Sequence, residues 1–351
     1  MSIQFVTYTL NGLGNQLASL QLLAGVAAAL PDQEISAIYC KLTTGRKWAI
    51  QDPQEYQVDT SPWDAEFFDS SSPTLLEMLD YELPSNVKLQ NNDFEIKNRI
   101  NSNVINCQAS VLGTPETTKE QYEKFSASKK PIYLDPNKNN VFTMSLIWYS
   151  KFFVNRPIEV DKELAKIKFN SEYLEFVEMI KKDVGEYVGA HVRIMPDHHH
   201  VYRFSEEKYV EGLDSISVSE KPLLLSVDDW NHEYVKAHNS KYINVHDLIL
   251  NNYGKEFKSL SHHNRIDLAT ISMLLMAEAS DFIGTYGSTY TSYIQQKRAQ
   301  NLTEDWKFFR GTVHDSYDKN LKPYSWHSVP GGASLSWERD WDECKLRYDQ
   351  F

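Results

Sequence analysis

The sequence predicts an α/β protein in two halves, each built on a parallel sheet. Three observations predict it. Near the N-terminus a short apolar run, Ile3 to Leu10, ends in a glycine-rich bend, Asn11-Gly-Leu-Gly-Asn-Gln-Leu17. In the second half a strand-like run, Gly189-Ala-His-Val-Arg-Ile194, is followed by Asp197. Three more strand-like runs follow, and each ends in polar residues. Strands that repeat with polar carboxyl ends belong to parallel sheets, whose ligands sit beyond those ends.

The elements follow in order. Ile3 to Leu10 alternates and carries β-branched and aromatic residues, so it reads as a strand. Gly12 and Gly14 make a turn. Leu17 to Leu30 reads as a helix, rich in leucine and alanine and stopped by Pro31. Ile35 to Cys40 is the next strand, completing the start of a right-handed βαβ unit. A long aperiodic run is then broken by Pro53, Pro62 and Pro73, and the polar stretch Asn91 to Asn103 has the character of exposed chain. Short elements fall at Ile132 to Leu134 and within Val141 to Phe153. Glu159 to Asp183 reads as one helix, with Leu164, Ile167, Leu174, Phe176, Val177 and Ile180 at helical spacing.

Tyr187 to Ile194 is a buried strand. Pro222 to Val227 ends in Asp228-Asp229, and Tyr242 to Val245 ends in His246-Asp247. Asp267 to Ala279 is an apolar helix, and the strand Asp281 to Gly284 ends in Thr285-Tyr-Gly-Ser-Thr289. Two domains are expected, residues 1–180 and 181–351. A tail bearing Trp306, Trp326, Trp337 and Trp341 is expected to pack back across them.

Composition narrows the function. The chain has 351 residues and 41% hydrophobic content, as in ordinary globular proteins. Lys plus Arg number 36 against 48 Asp plus Glu, a net charge of −12. Such a chain has no general attraction for nucleic acid, so a phosphate site must be local. Cys40, Cys107 and Cys344 are too scattered for a disulfide framework or a zinc site. They read as reduced thiols, and a cytoplasmic protein is expected. There is no basic leader before the first apolar run and no apolar stretch near the roughly 18 residues that span a bilayer. Peripheral membrane association stays open. Eight Trp and twenty Tyr suit either sugar stacking or cores and interfaces.

Several residues have side chains suited to chemistry. The bend from Gly12 to Gln16 lets a ligand approach backbone and helix N-terminus, with Asn15 adding amide donors. A plain strand-to-helix turn with Asn15 as cap is the simpler alternative. The segment lacks both the dinucleotide fingerprint and the P-loop lysine. His191 and Arg193 are two apart on a strand and share one face at its carboxyl end. The guanidinium fork matches a phosphate bidentately. Asp197 follows a Met-Pro turn, placed to accept a proton or to orient His191 or Arg193. The alternative is a buried ion pair that fastens the strand end. His198 to His200 have no fixed geometry for a metal. Asp228-Asp229 suits a cation or a helix cap, with the cap favoured. Asp267 caps its helix or, turned to the cleft, receives N–H donors from a base. Thr285, Ser288, Thr289 and Thr291 make a hydroxyl-rich turn before a helix at Tyr290 to Arg298, fit for capping and for an anion alike.

Three blocks in order, Gly12-Leu-Gly-Asn-Gln16, His191-Val-Arg193 with Asp197, and Asp267-Leu-Ala through Ser280-Asp-Phe-Ile-Gly-Thr-Tyr-Gly-Ser-Thr289, resemble a known superfamily. It is that of the GDP-fucose-dependent fucosyltransferases, comprising α1,2- and α1,6-fucosyltransferases and protein O-fucosyltransferases. The resemblance implies a GT-B fold, two Rossmann-like domains whose parallel sheets face across a cleft. It implies an enzyme that transfers L-fucose from GDP-β-L-fucose to an acceptor hydroxyl, inverting the anomeric centre to an α linkage without a bound metal or other cofactor. Arg193 would bind the β-phosphate and stabilise departing GDP. His191 would hold the nucleotide, Asp267 would read guanine, and Ser288 and Thr289 would contact the pyrophosphate. Gly14 and Asn15 would face the sugar-phosphate from the other domain. A base would help to deprotonate the acceptor hydroxyl, and Asp197 is the candidate for it, with a structural role as the alternative.

One departure bears on the acceptor. Many members with sugar acceptors carry a second arginine after the first, and here that position is Ile194. The His191 to Asp197 spacing is closer to the protein O-fucosyltransferase pattern. Few cysteines and no leader argue against disulfide-rich secretory targets. Glycan and protein Ser/Thr acceptors both stay open, as do another nucleotide-sugar donor and a non-catalytic carbohydrate-binding protein.

Overall fold

The computed structural model describes residues 2–7, 13–38, 75–90, 102–106, 110–113, 130–132, 134, 137–144, 153–154, 158–193, 220–228, 232–260, 265–285, 290–291, 293–294, 297–298 and 337–339. In chain order the principal elements are β1 (Ser2–Thr7), α1 (Leu13–Ala29), β2 (Ile35–Ile38), β3 (Val87–Gln90), β4 (Ser102–Asn106), β5 (Ser110–Gly113), β6 (Lys130–Ile132), β7 (Asn139–Met144) and β8 (Phe153–Val154). There follow α2 (Ile158–Ala165), α3 (Ser171–Val184), β9 (Val188–Val192), β10 (Leu223–Val227), α4 (Glu233–Ala237), β11 (Ile243–Asn244), α5 (Val245–Asn252), α6 (Gly254–Phe257), α7 (Arg265–Glu278), β12 (Phe282–Thr285) and β13 (Trp337–Arg339).

The expected pair of parallel sheets is present. The first runs β3-β2-β1-β7-β4, parallel throughout. The second runs β11-β10-β9-β12-β13, parallel except for β13, which pairs antiparallel with β12. A small sheet, β6-β5-β8, is also parallel. Each large sheet has a point where chain order reverses. It lies between β1 and β7 in one and between β9 and β12 in the other, the place where α/β sheets open a crevice. Trp337 stands in β13, so this part of the tail extends the second sheet.

Burial explains the elements. β9 and β10 are buried at every position, as strands covered on both faces must be. α1 is buried along most of its length, from Leu17 through Leu20, Leu22, Leu23 and Val26 to Ala27, and so lies inside the molecule. It begins at Leu13, earlier than the expected Leu17, which puts Gly14 and Asn15 in its first turn. Its far end is closed by Asn86, whose amide donates to the carbonyls of Ala27, Leu30 and Gln33 at 3.1, 3.1 and 3.0 Å. Ala27 O has no helical donor, because the residue four places on is Pro31, which lacks an N–H.

The long helix expected over Glu159 to Asp183 is two helices, α2 and α3, with 166–170 between them. Backbone bonds to another segment interrupt it. Asp80 N donates to Lys168 O at 2.9 Å and Asn170 N to Met78 O at 3.1 Å, flanking a bridge between Leu79 and Phe169. α2 packs on α1 and α3 packs on α7, so this crossover joins one packing unit to the next. α3 ends at Gly185, whose φ of 77° suits a glycine and whose N–H donates to Lys181 O.

Candidate active site

Alternation along β9 divides the second sheet. Val188, Ala190 and Val192 join a core with Leu223, Leu225, Val227, Val235 and Ile283 on one face. Gly189 and His191 take the other face, toward α7. A Cβ on Gly189 would lie 2.9 Å from Met276 Sδ and 3.1 Å from Ala279 Cβ, so the glycine admits the helix. In register with His191 stand Ser226 on β10 and Gly284 on β12, forming a row across three strands.

The start of the helical stretch after β12 covers that row. Thr291 Oγ1 lies 2.6 Å from His191 Nδ1. The Tyr290 ring rests against the imidazole, centroids 4.7 Å apart and planes tilted 35°. Tyr290 also bonds with Ser226, and its hydroxyl donates to Ala269 O on α7 at 2.5 Å. Gly284 makes the arrangement feasible, since a Cβ there would sit 2.4 Å from Thr291 Cγ2 and 2.8 Å from its Oγ1.

Arg193 leaves β9 at its carboxyl end, where chain order reverses, two residues beyond His191. It is half-buried, against 4% exposure for His191. Burial, and then the Arg193 charge, push the His191 pKa down to about 3. The imidazole is therefore neutral at ordinary pH, and the guanidinium is the cation of the pair.

Asp267 is fully buried in the first turn of α7. Tyr173 of α3 donates its hydroxyl to Asp267 Oδ1 at 2.6 Å. Burial, and then the carboxylate, raise the Tyr173 pKa, so the phenol keeps its proton. Gly14 is buried in the first turn of α1, at the carboxyl end of β1. α1 and α7 touch, which brings the two halves together through the helices that bear Gly14 and Asp267. Asp197, Ser288 and Thr289 lie outside the described residues, as does the Asn15 side chain. Among the described residues no group of three or more His, Cys, Asp or Glu side chains is placed to hold a metal, and no helix is long and apolar enough to cross a membrane.

Sequence reasoning did not single out Tyr290, Ser226, Gly284 or Tyr173. Tyr290 adjoins the hydroxyl-rich turn and was within reach of that pattern. Ser226 and Gly284 acquire their place only through strand register, and Tyr173 looks like any core residue of an amphipathic helix.

No protein-family model matches the chain, and no curated protein does. Among solved structures it is similar to NodZ alpha-1,6-fucosyltransferase co-crystallised with GDP, at 12% identity and a TM-score of 0.43, over 84% of this chain and 92% of that one. Similar figures hold for the fucosyltransferase NodZ from Bradyrhizobium, at 12% identity, a TM-score of 0.43, and 84% and 93% coverage. A mutant of Arabidopsis thaliana FUT1 in complex with GDP matches at 11% identity and a TM-score of 0.40, covering 84% of this chain and 68% of that one. Likeness of this degree leaves function to be argued from the site itself.

Proposed function

We propose that the chain is an inverting glycosyltransferase that moves L-fucose from GDP-β-L-fucose to an acceptor hydroxyl, forming an α linkage without a bound metal. One observation carries the reading: Arg193 stands half-buried at the carboxyl end of β9, at the reversal point of a parallel sheet, beside a neutral His191. A fixed cation at that position suits a diphosphate. The three sequence blocks that resemble GDP-fucose-dependent enzymes supply the identity of the donor.

The chemistry follows from charge. Cleavage of the bond between fucose C1 and the phosphate oxygen leaves positive charge on the ring and negative charge on GDP. Arg193 offsets the second, and a preorganised donor of this kind contributes about 3 kcal/mol or more to the transition state. Ser288 and Thr289 are proposed to share the pyrophosphate, with Gly14 and Asn15 meeting the sugar-phosphate from the other half. Asp267, its carboxylate fixed by Tyr173, is proposed to accept N–H donors of the guanine edge. Asp197 is proposed to draw the proton from the acceptor hydroxyl. Exclusion of water protects the donor from hydrolysis.

The test is GDP release from GDP-fucose by the purified chain in excess chelator, with and without glycan and peptide acceptors. Arg193→Ala is expected to lower turnover by at least about a hundredfold with the fold intact. Normal turnover in that variant ends the assignment. Stronger thermal stabilisation by UDP or ADP than by GDP moves the reading to another nucleotide sugar.

A further inference from the structure

We propose that Thr291 is a positioning residue that fixes the His191 imidazole, by donating its hydroxyl proton to Nδ1, in the tautomer that carries its proton on Nε2. The inference rests on the diphosphate reading only for its consequence in binding; the tautomer is a separate claim about the protein.

Distance and burial support it. Thr291 Oγ1 and His191 Nδ1 are 2.6 Å apart, and Thr291 is fully buried. Among the described residues His191 is the sole hydrogen-bond partner of that hydroxyl. A hydroxyl accepting from Nδ1–H would still have its own proton to place in a buried setting. Donating to Nδ1 satisfies it, and a stranded buried donor costs about 1–3 kcal/mol. The imidazole is neutral, so one nitrogen accepts and the other carries the proton. Tyr290 stacked on the ring, and tied in turn to Ala269 O, removes the freedom to flip.

The site is built to hold Thr291 as well. Gly284, opposite His191 in register, has no Cβ where the Thr291 side chain sits. With Nδ1 occupied by a donor, Nε2 is the ring nitrogen that carries the proton. A neutral N–H donor beside a guanidinium suits an anion. The opposite tautomer would leave Nε2 as an acceptor, which repels one.

The experiment uses the full chain labelled with 15N-histidine, with the His191 signals assigned by their loss in His191→Gln. The wild type and Thr291→Ser are expected to show a protonated Nε2 and an accepting Nδ1. Thr291→Val, nearly the same shape without the hydroxyl, is expected to show averaging of the two tautomers. GDP affinity, by calorimetry, is expected to fall about tenfold in Thr291→Val and less than about threefold in Thr291→Ser. Thermal melts verify that both variants fold. A protonated Nδ1 in the wild type, or a Thr291→Val variant with the wild-type tautomer, overturns the proposal. Wild type that binds no GDP but keeps the expected tautomer, lost in Thr291→Val, upholds the positioning role and removes the diphosphate reading.

Discussion

Tyr173 and Asp267 are joined by a 2.6 Å hydrogen bond, phenol to carboxylate, in a buried seam between two helices. The bond ties α3, which follows the crossover from the first half, to the first turn of α7. Tyr173→Phe removes the donor without changing the ring. The buried carboxylate then loses a charged-group hydrogen bond, and stability is expected to fall by about 1–3 kcal/mol. Urea denaturation measures it. A change within error would mean that other groups support the carboxylate unaided.

Gly284 is the second test. An alanine methyl there would meet Thr291 Cγ2, Thr291 Oγ1 at 2.8 Å and Phe282 Cζ at 2.9 Å. Both neighbours are buried, so the strand or the following helix must shift. Gly284→Ala is expected to cost about 1–3 kcal/mol. Its double variant with Thr291→Ser should recover part of that loss, because the Cγ2 methyl is the nearest of the three atoms crowded out. No recovery in urea melts would place the conflict at Thr291 Oγ1 and Phe282 instead.

His191 makes stability depend on pH. Its folded pKa, near 3, lies below the ordinary 6.5. Between those values the unfolded chain binds the proton and the folded chain does not. The stability present above about pH 6.5 is therefore lost as pH falls toward 3, with a slope of up to about 1.4 kcal/mol per pH unit from this group. His191→Gln should flatten that part of the profile. Identical profiles for variant and wild type between pH 4 and 6.5 would show that the imidazole is protonated within the fold.

The fold was legible because its signals are local. The apolar run of β9 and its neighbours, the glycine bend before α1, and the polar strand ends all stand in the sequence. What was not legible depends on partners far along the chain. The break at 166–170 arises from backbone bonds to 78–80, and nothing in the helical spacing of Leu164 to Ile180 announces it. The start of α1 at Leu13 likewise escapes propensity, since Gly14 in its first turn disfavours a helix until its packed face outweighs it. In the site, His191 and Arg193 could be paired by their spacing of two. The row of Ser226, His191 and Gly284 could not, because register across separate strands is a tertiary outcome.

The far end of α7 supplies the last prediction. Four carbonyls there face a turn into β12 without helical donors, as at any helix terminus. Tyr187 Oη donates to Leu275 O at 2.7 Å. Arg298 Nη1 donates to Met276 O at 3.3 Å and Ala277 O at 3.1 Å, and to Ala279 O. Arg298 is 9% exposed, so its guanidinium caps the helix from within the protein, and its charge complements the negative end of the helix dipole. Arg298→Met keeps much of the volume but strips these carbonyls of their donor, for an expected loss of about 2–4 kcal/mol. Arg298→Lys retains charge but not the planar fork, so its loss should be smaller. Hydrogen exchange should quicken first at the amides of the last turn of α7. Because Gly189 packs against Met276 and Ala279, that loosening should next reach β9. Equal stability of Arg298→Met and wild type would show that water serves those carbonyls as well as the guanidinium does.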